Sequence, residues 1–458
     1  MSQSFSTALA VSACKAVRAA LRVLHRGGTT VPGKVAMKID SNILEKVSAG
    51  MDIIVVTGTN GKTTTCNMLS HALESSGRPT LANRSGANLL PGVTAEFTSN
   101  ATASGHPKKK FAVIECDEAA LKQVVPKIHP KVIAVTNLFR DQLDRYGEVM
   151  HTRDEIRKGI ELCPDAVLCL NADDSLVVSL AYQVPNKVVY YGIDIPVGRQ
   201  ENAEISDARY CIRCGAEYEY DYHTYAHLGG FRCPKCGYSR PAADMAVTDI
   251  LRQDMSGSTI RFRFGKESEE VRIGLPAVYN IYNAAAALAA YTAAGFDRKE
   301  IITSLSDVHS SFGRLETFDL DGTKVQMILV KNPAGCNQAL SYVAGADTDY
   351  AAVFCLNDRT ADGHDISWIW DADFESVCGD EHLKRVYVTG DRAEDMLLRL
   401  KYADLGGREY EVIHSQEELI SRMKQSRIPV FVLPNYTAML SLRAELGKIT
   451  GRAGFWEG

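Results

Sequence analysis

The sequence lacks a run of apolar residues long enough to cross a bilayer, and its N-terminus lacks a secretory pattern. Lys15 and Arg18 interrupt the weakly apolar start, so residues 5–25 are predicted to form an amphipathic packing helix rather than a membrane anchor. The sequence also lacks an excess of positive charge, because its 458 residues carry a net charge of −5. That charge gives no general attraction for nucleic acid. Because a secretory pattern is lacking as well, we expect a cytoplasmic protein.

The cysteines indicate metal binding rather than disulfides. Four of the twelve form two Cys-x-x-Cys pairs separated by eighteen residues, and the other eight are scattered. Without an export signal the expected compartment is reducing, and such pairs are then typical of a zinc ribbon. Four thiolates leave no open coordination position, which predicts a structural Zn²⁺ site. Its predicted ligands are Cys211, Cys214, Cys233 and Cys236.

A nucleic-acid role is the alternative interpretation of this ribbon. Tyr218, Tyr220, Tyr222 and Tyr225 follow the first cysteine pair and offer rings on which bases could stack. Basic residues are sparse among these tyrosines, and phosphate contacts need them. We therefore favour a structural clamp.

Strand-like and helix-like segments alternate along two parts of the chain. Between residues 50 and 190, apolar runs such as Lys131–Thr136 are followed by helical stretches, and a second series begins near Lys324. Continuous apolar strands that alternate with helices are typical of parallel sheets covered on both faces. We therefore predict an α/β protein with two α/β domains that meet near residues 310–313.

The segment after the apolar strand Asp52–Val56 is typical of a phosphate-binding loop. The run Gly58–Thr63 reads Gly-x-x-Gly-Lys-Thr and precedes a predicted helix, a shortened P-loop in which Val56 replaces the first glycine. Backbone N–H groups, the helix dipole and the lysine all attract phosphate there. The sequence therefore predicts a nucleoside triphosphate site. The predicted ligands in this loop are Thr57, Gly58, Thr59, Asn60, Gly61, Lys62, Thr63 and Thr64.

A hydroxyl and a carboxylate near this loop are candidate Mg²⁺ ligands. Thr63 occupies the position whose hydroxyl faces Mg²⁺ in P-loops. Glu115 follows the apolar strand Phe111–Ile114, at the sheet edge where ligands bind in open α/β folds. The neighbouring Asp117 and Glu118 also fit an acidic cap at a helix N-terminus.

The polar segment 83–89 lies after the helix that follows the phosphate loop. Its side chains Asn83, Arg84 and Asn88 are candidate substrate ligands, because exposed polar loops often carry function. A plain surface loop is an equally supported alternative.

Three segments resemble the motifs of the Mur ligases and folylpolyglutamate synthases. They are Thr136–Asp144, which reads Thr-Asn-Leu-x-x-Asp-x-Leu-Asp, then Tyr279–Ala285 and Phe312–Glu316. The resemblance implies that Asn280 holds adenine and that Arg314 reaches the ATP phosphates from the domain junction.

Three features depart from the family pattern. Gln142 stands where many members carry a metal-binding histidine, and Tyr279 replaces the histidine before Asn280. Only about fifty residues precede the phosphate loop. A domain that grips a nucleotide-sugar is therefore not expected.

The C-terminal part narrows the resemblance to the MurT–GatD family. Residues 330–335 replace the usual aspartate- and histidine-bearing segment of Mur ligases, and residues 357–371 form a polar–aromatic loop after a strand. The resemblance covers essentially the whole chain. It implies an N-terminal helical segment (1–49), a Mur ligase-like ATP-binding domain with a parallel sheet and P-loop (50–311), an inserted zinc ribbon (205–240) and a Rossmann-like α/β domain (312–458).

The resemblance implies an ATP-dependent carbon–nitrogen ligase. Members of the family amidate the D-glutamate α-carboxylate of the peptidoglycan stem peptide on lipid II, through an acyl phosphate. ATP, Mg²⁺ and Zn²⁺ are the implied cofactors, and a GatD-like glutaminase that supplies ammonia is the implied heterodimer partner. The implied place of action is the inner face of the membrane. The implied catalytic residues are Lys62, Glu115, Arg314 and Asp365.

Asp365 has two interpretations. By resemblance it completes the partner's Cys–His pair across the subunit interface. By local sequence it is a loop-capping aspartate or belongs to the turn at Asp362–Gly363. Trp368 and Trp370 are likewise either partner anchors or core aromatics.

Two other functions stay open at this point. One is a Mur or folylpolyglutamate ligase that adds an amino acid, which the altered segment 330–335 disfavours. The other is an ATP-controlled module whose ribbon engages nucleic acid, which the net charge of −5 disfavours.

Overall fold

The computed structural model describes residues 2–23, 30–83, 87–141, 149–197, 207–254, 256–308 and 314–451. They divide into two compact units. The first unit takes the described residues of Met1–Phe139, Val149–Asn202 and Ser206–Val308, and the second takes those of Arg140–Glu148 and His309–Gly458. Within these described ranges, no helix is both long and apolar enough to cross a membrane.

The first unit combines ten described helices with eleven strands. The helices are α1 (Ser2–Val23), α2 (Val31–Ile39), α3 (Ile43–Ser48), α4 (Lys62–Ser75), α5 (Leu90–Ser99), α6 (Leu121–Ile128), α7 (Val149–Glu161), α8 (Ser175–Val178), α9 (Val278–Ala293) and α10 (Arg298–Ser304). The strands are β1 (Asp52–Thr57), β2 (Thr80–Ala82), β3 (Phe111–Glu115), β4 (Val132–Val135), β5 (Val167–Asn171), β6 (Val188–Ile193), β7 (Glu219–Tyr225), β8 (Leu228–Arg232), β9 (Met245–Asp254), β10 (Gly257–Phe264) and β11 (Glu267–Ile273).

Nine of these strands form one sheet in the order β11-β10-β9-β6-β5-β4-β1-β3-β2. The strands from β9 to β2 pair in parallel, whereas β9, β10 and β11 form an antiparallel meander at one edge. The strand β1 lies inside the sheet between β3 and β4. Its carboxyl end therefore opens between two neighbouring strand ends, where open α/β sheets bind ligands.

Helices cover the parallel part of this sheet and bury both of its faces there. The apolar run of β1 is buried throughout from Ile53 to Val56, as a central parallel strand requires. The N-terminal helices pack on the same core through Val11 and Leu44. The alanine-rich α9 is buried from Asn280 to Tyr291, because its small side chains allow close approach to the strands.

The second unit is a six-stranded sheet with helices. Its strands, in the order β12-β13-β17-β14-β15-β16, are β12 (Arg314–Leu320), β13 (Thr323–Ile328), β14 (Tyr350–Cys355), β15 (Leu383–Thr389), β16 (Glu409–Val412) and β17 (Val430–Pro434). Its described helices are α11 (Pro333–Val343), α12 (Glu375–Cys378), α13 (Ala393–Tyr402), α14 (Gln416–Ser426) and α15 (Tyr436–Thr450). The pairs from β13 to β16 are parallel, and β12 is an antiparallel edge.

The predicted α/β class, with parallel sheets and a C-terminal α/β domain, is confirmed. The antiparallel edges were not predicted. The strand β10 reads Gly-Ser-Thr-Ile-Arg-Phe-Arg-Phe, and its alternating apolar and charged residues are typical of a strand with one solvated face. The alternation of strands and helices thus stops at the ribbon and gives way to hairpins.

Candidate functional site

The phosphate loop joins β1 to α4 through two glycines in the left-handed region. Gly58 has a φ of 120° and Gly61 a φ of 87°. A Cβ atom at Gly61 would lie 2.0 Å from the side-chain oxygen of Asn283, and one at Gly58 would lie 2.4 Å from the Thr136 hydroxyl. Only glycine fits either position. The N-terminus of α4 has no side-chain cap, so its N–H groups stay available for an anion.

The segment Thr136–Asn137 clamps this loop. The N–H of Asn60 donates to the Asn137 side-chain oxygen at 2.9 Å, and the N–H of Thr59 donates to the Asn137 carbonyl at 2.8 Å. The Thr136 hydroxyl donates to the Asn60 carbonyl at 2.7 Å. Sequence reasoning saw Asn137 only as part of a motif, since its contact with the loop joins residues 77 positions apart.

Lys62 points back into its own loop and pairs with Glu118. Its ammonium lies 2.8 Å from the Glu118 carboxylate and 2.5 Å from the Gly58 carbonyl. Burial alone would lower the pKa of Lys62, but the carboxylates of Glu118 and Glu115 raise it above its usual value. The amine is therefore a fixed positive charge. Burial likewise raises the pKa of Glu118, while Lys62 opposes that shift.

Thr63 and Glu115 bring two oxygen donors to one point beside the loop. The Thr63 hydroxyl donates to the Glu115 carboxylate at 2.5 Å, and the Glu115 side chain is buried. Both donors are hard oxygen atoms, the type that Mg²⁺ prefers. This donor pair fits a Mg²⁺ site that the bound triphosphate would complete.

The predicted substrate residues Asn83 and Asn88 contact the end of β3. The Asn83 side chain accepts the Glu115 N–H at 2.9 Å and donates to the Glu115 carbonyl at 2.7 Å. The Asn88 amide donates to the Glu115 carboxylate at 3.3 Å. Both therefore hold Glu115 in place. Arg84 lies outside the described residues.

Asn280 lies in the first turn of α9 and is buried. It contacts Asn283, which neighbours the phosphate loop. Its side chain donates to the Pro276 carbonyl at 2.6 Å and accepts from the Asn283 amide at 3.1 Å. Since Asn283 in turn lies against Gly61, the start of α9 is joined to the phosphate loop. Asn280 itself remains a predicted adenine ligand.

The four ribbon cysteines meet at one point. All four Sγ atoms lie within 4.8 Å of one another, with Cys211–Cys236 at 3.6 Å and Cys214–Cys233 at 3.5 Å. Two sulfur atoms bound to one tetrahedral Zn²⁺ lie roughly 3.8 Å apart, given Zn–S bonds of about 2.3 Å. The cluster therefore has the dimensions of a closed metal site.

Backbone hydrogen bonds favour a thiolate at one ligand of this cluster. Burial raises the pKa of the Cys233 thiol, but hydrogen bonds, first those from the backbone of Cys236 and Lys235, lower it to about 6. A backbone hydrogen bond at Tyr238 lowers the pKa of the neighbouring Cys236 thiol, but burial and the adjacent sulfur atoms outweigh it, so this pKa shifts the other way. Thiolates are the form that binds metal. Gly215 and Gly237 adopt φ values of 71° and 73° after the second cysteine of each pair, which closes both knuckles.

The four ribbon tyrosines are engaged within the first unit. Tyr218 and Tyr225 are buried, while Tyr220 donates to the His227 carbonyl at 3.1 Å and Tyr222 to the Ile193 carbonyl at 2.8 Å. Their rings are committed to packing and hydrogen bonding. This arrangement supports the clamp rather than a stacking surface for bases.

The second unit carries the polar–aromatic loop after β14. Asp365 is half-buried, and its Oδ1 accepts the Ser367 N–H at 2.8 Å. Hydrogen bonds from the Ser367 side chain and backbone lower the pKa of Asp365. Asp362 anchors the loop to α15 by accepting the Thr437 N–H at 2.7 Å. Asp365 is thus an ionised group held on a fixed loop.

The two loop tryptophans differ in exposure. Trp368 is half-buried, whereas Trp370 is 48% exposed and packs edge-to-face on Tyr402 at 5.5 Å. Tyr402 is itself exposed on α13. Trp370 and Tyr402 form an exposed aromatic pair next to the loop of Asp365.

Arg314 begins β12, but its side chain lies outside the described part of the chain. Glu316 of the same motif forms a buried two-pronged pair with Arg443 of α15, at 2.8 and 3.0 Å. Sequence reasoning missed this partner, which is 127 residues away. Gln142 also lies outside the described residues.

Family profiles match the chain twice. The profile "Mur ligase middle domain" covers residues 56–291, and "MurT ligase C-terminal" covers residues 329–439. The chain is 34% identical to the MurT subunit of lipid II isoglutaminyl synthase (glutamine-hydrolysing) from Streptococcus pneumoniae, over 91% of this chain and 92% of that protein. It is 33% identical to the subunit of the same name from Staphylococcus aureus strain COL, over 96% and 97%.

Solved structures of similar fold come from peptide and folate ligases. A pseudomurein peptide ligase type C from Methanothermus fervidus superposes with a TM-score of 0.66 at 19% identity, over 87% of this chain and 79% of that one. MurF from Acinetobacter baumannii gives 0.66 at 18%, over 90% and 80%. The folylpolyglutamate synthase of Mycobacterium tuberculosis gives 0.61 at 15%, over 89% and 95%. At these identities the likeness shows the fold alone.

Proposed function

The chain belongs to the MurT family of lipid II isoglutaminyl synthase subunits, and from this premise we propose that it amidates the D-glutamate of the peptidoglycan stem peptide. The resemblance drawn from the sequence motifs is confirmed by the matches. The protein is an ATP-using ligase subunit, and the family name implies a partner subunit. The product would be D-isoglutamine within lipid II.

The reaction has two steps. An oxygen of the α-carboxylate attacks the γ-phosphorus of ATP, the bond to ADP breaks, and an acyl phosphate forms. Ammonia then attacks the acyl carbon, phosphate leaves, and the amide nitrogen loses a proton to solvent. Such phosphoryl transfer depends on positioning and charge neutralisation rather than on covalent help from the protein.

The meeting of Lys62, Thr63 and Glu115 at one glycine loop carries this proposal. The N–H groups at the start of α4 would bind the β-phosphate, and Lys62 would turn from Glu118 to the transferring phosphate. Thr63 and Glu115 would hold Mg²⁺, which neutralises phosphate charge when bound. Arg314 is the proposed further phosphate ligand.

Two residue sets complete the proposed nucleotide and substrate sites. Asn280 is the proposed adenine ligand, supported by its burial at the start of α9. Asn83 and Asn88 would act on the substrate through Glu115, whose position they fix. Arg84 stays a proposal from sequence.

The ion proposed for the four-cysteine cluster is Zn²⁺. The sulfur separations of 3.5 and 3.6 Å support it, as does the meeting of all four Sγ atoms within 4.8 Å. A set of four thiolates has no open position, so the ion would be structural.

The proposed partner is a GatD-like glutaminase, which would release ammonia from glutamine. Asp365 would orient and stabilise the partner's catalytic histidine, as the third member of such triads does. Its lowered pKa keeps the carboxylate charged for that role. The exposed Trp370–Tyr402 pair would anchor the partner, since aromatic residues dominate binding energy at interfaces.

The proposed place of action is the inner face of the membrane, where a lipid-linked precursor lies. The outward side of α1 supports it, because its exposed residues are uncharged except for Arg22 in the last turn: Phe5, Leu9, Ser12, Ala16, Ala19, Ala20 and Val23. Residues 1–50 contain seven Lys or Arg and two Asp or Glu, although the chain as a whole carries −5. An apolar stripe beside basic residues is the pattern of a helix that lies on an anionic membrane.

Mass spectrometry of lipid II tests the proposed function directly. Lipid II is incubated with the protein, ATP, Mg²⁺ and ammonium chloride, and separately with glutamine and the candidate glutaminase. Conversion of one carboxylate to an amide is expected, with loss in Lys62→Ala. If no amide forms with either nitrogen source from folded protein, the amidation proposal is wrong, and a screen of amino-acid substrates follows.

A further inference from the structure

The ribbon hairpin β7–β8 reaches from the cysteine cluster into the interior of the first unit. At its turn, Thr224, His227 and Leu228 are buried, whereas Glu219 near the cysteines is exposed. We propose that this turn, residues 224–228, is a positioning element for the nucleotide site. Metal binding at the cysteines would thereby set the affinity for ATP. The inference rests on the proposed nucleotide site.

The first contact of the turn is with Phe139, two residues after the segment Thr136–Asn137 that clamps the phosphate loop. The Phe139 ring stacks on Tyr225 at 5.8 Å and lies 4.8 Å from the His227 ring. The Phe139 N–H donates to the Thr59 hydroxyl at 3.0 Å, and that hydroxyl donates to the Phe139 carbonyl at 3.2 Å. Phe139 therefore contacts both the turn and the phosphate loop, and links one to the other.

A buried carboxylate ties the turn to the same segment. Asp174 lies 3.4 Å from the His227 imidazole and accepts the N–H of Leu138 at 2.8 Å. Both Asp174 and His227 are fully buried. The 3.4 Å separation is an ion-pair contact rather than a hydrogen bond, and burial away from water strengthens its electrostatic attraction. Asp174 also caps α8 by accepting the N–H groups of Leu176 and Val177, so it joins the turn, α8 and the Leu138 backbone.

The second contact is with α9, whose residue Asn283 lies against the phosphate loop. The Thr224 hydroxyl lies 2.7 Å from the hydroxyl of Tyr282, which donates to Asp173 at 2.6 Å. The Tyr225 ring meets the Tyr282 ring edge-on at 5.6 Å. Tyr282 stands between Asn280, the proposed adenine ligand, and Asn283, which lies against Gly61. One turn thus supports both segments that border the phosphate loop.

The cysteine cluster joins this structure through a third contact. Tyr238 follows the last ligand by two residues and donates its hydroxyl to the Ser175 carbonyl at 2.7 Å. Ser175 is the neighbour of Asp174 in sequence. The ribbon core of Tyr218, Phe231 and Tyr238 is small. A two-stranded hairpin of this size is marginally stable alone, so a bound metal would add to the ordering energy that its packing supplies.

This inference differs from a plain structural clamp in what it predicts. A clamp affects stability and leaves nucleotide affinity unchanged once the protein is folded. A positioning element changes the affinity for ATP in folded protein whose cysteine cluster is still filled. Substitutions in the turn distinguish the two cases, because its side chains contact the segments that border the nucleotide site and do not bind the metal.

The test measures binding of a non-hydrolysable ATP analogue with Mg²⁺ to the full chain by calorimetry, with zinc content and unfolding midpoint recorded for each variant. In Tyr225→Leu and Thr224→Val, zinc stays at the wild-type level and affinity falls on the order of tenfold. The conservative variants Tyr225→Phe and Thr224→Ser restore it. Tyr210→Leu, at an exposed ribbon tyrosine, is the matched control and keeps wild-type affinity.

Removal of the metal gives a second arm that does not depend on the turn variants. Cys236→Ser, at the most exposed ligand, lowers zinc content and weakens analogue binding in protein that remains folded. The KM for ATP rises in parallel, with a smaller change in kcat. If both turn variants and the zinc-depleted protein bind the ATP analogue with wild-type affinity, the inference is wrong and the proposed function still stands. A wild-type chain that binds no analogue overturns the proposed function and this inference with it.

Discussion

The ammonium of Lys62 lies 2.8 Å from the carboxylate of Glu118, with both side chains largely buried. The pair lies beside the phosphate loop, and Glu118 occupies the anion position at Lys62. In the proposed function a phosphate oxygen would take that position, so nucleotide binding would exchange one anion for another at this lysine. The energy of that exchange depends on Glu118.

Glu118→Gln is expected to tighten the binding of Mg²⁺-free ATP by at least about tenfold. Two like charges about 5 Å apart repel by roughly 3 kcal/mol at an effective dielectric of about 20, and the variant removes that repulsion. It also leaves Lys62 without its anion in the free protein, which favours phosphate binding further. Titration calorimetry with and without Mg²⁺ measures the effect.

Glu45→Gln is the control for this change, because Glu45 is an exposed glutamate in α3. It should leave ATP affinity unchanged. If Glu118 were a Mg²⁺ ligand, the variant would instead weaken ATP binding only when Mg²⁺ is present, and the exchange described above would be wrong.

Asp365→Asn is expected to abolish amide formation from glutamine with the glutaminase partner and to leave amide formation from ammonium chloride unchanged. The carboxylate is proposed to act on the partner's histidine and not on lipid II. Rates of product formation from the two nitrogen sources measure this split. Asp395→Asn, at a half-buried aspartate that pairs with Arg392, should affect neither rate. Equal loss from both sources would place Asp365 in the synthetase reaction instead.

Glu316→Gln is expected to lower the free energy of unfolding of the second unit by about 3 kcal/mol, because it leaves the buried Arg443 guanidinium without its carboxylate. Denaturant unfolding followed by tryptophan fluorescence reports this, since Trp368 and Trp370 lie in that unit. The more solvated pair Glu411–Arg422, whose side chains are 39% and 42% exposed, is the comparison, and Glu411→Gln should cost less than about 1 kcal/mol. Similar losses in both variants would show that burial of the Glu316 pair has no special effect.

Vesicle sedimentation tests the stripe on α1. The wild-type protein should bind vesicles that contain anionic lipid, more weakly as salt rises, and bind neutral vesicles less. The double variant Phe5→Ser with Leu9→Ser should reduce vesicle binding several-fold, because it removes two apolar side chains that would insert into the membrane. Leu398→Ser, at a comparably exposed leucine in the second unit, should not. Absence of binding to anionic vesicles at low salt would rule out a membrane role for α1.

His227 should give a pH-dependent contribution to stability. Burial lowers its pKa, but Asp174 and Asp207 raise it above the usual value of about 6.5. A raised folded-state pKa stabilises the fold fully below about pH 6.5, and that stabilisation is lost as pH rises through the folded-state pKa. The nearby His223, whose pKa burial lowers, contributes no opposing charge at neutral pH.

The unfolding midpoints of wild type and His227→Gln should therefore differ most near pH 6 and converge at higher pH. Thermal unfolding across this range measures the difference, and His106→Gln, at an exposed histidine, should follow the wild type throughout. A difference that grows with pH would mean that His227 is neutral in the folded protein.

Features set by neighbouring residues could be predicted from the sequence. The phosphate loop depends on two glycines, a lysine and a threonine in one turn, and the structure places Gly58 and Gly61 at left-handed φ values that exclude other residues. The cysteine cluster follows from two pairs whose spacing brings their sulfur atoms together. Likewise, buried parallel strands such as β1 and β14 are visible as continuous apolar runs.

Glu118 shows where such reasoning ends. Its sequence position fits an acidic cap on α6 as well as a site residue, because a helix N-terminus and a phosphate site both lie at the carboxyl end of β3. In the structure, Asp117 accepts the Ala119 N–H at 3.0 Å in the turn, and Glu118 pairs with Lys62. The choice depends on the distance between two side chains 56 residues apart.

The sequence alone determined the phosphate loop, the cysteine cluster, the α/β class and the family, because each depends on local backbone geometry or on short motifs. Tertiary structure decided which groups meet: Glu118 with Lys62, Glu316 with Arg443, and the ribbon turn with Phe139 and Tyr282. These contacts join residues far apart in the chain, and their partners are selected by how the sheets and helices pack. The physical reason is that side-chain type fixes what a residue can bind, whereas packing fixes what it can reach.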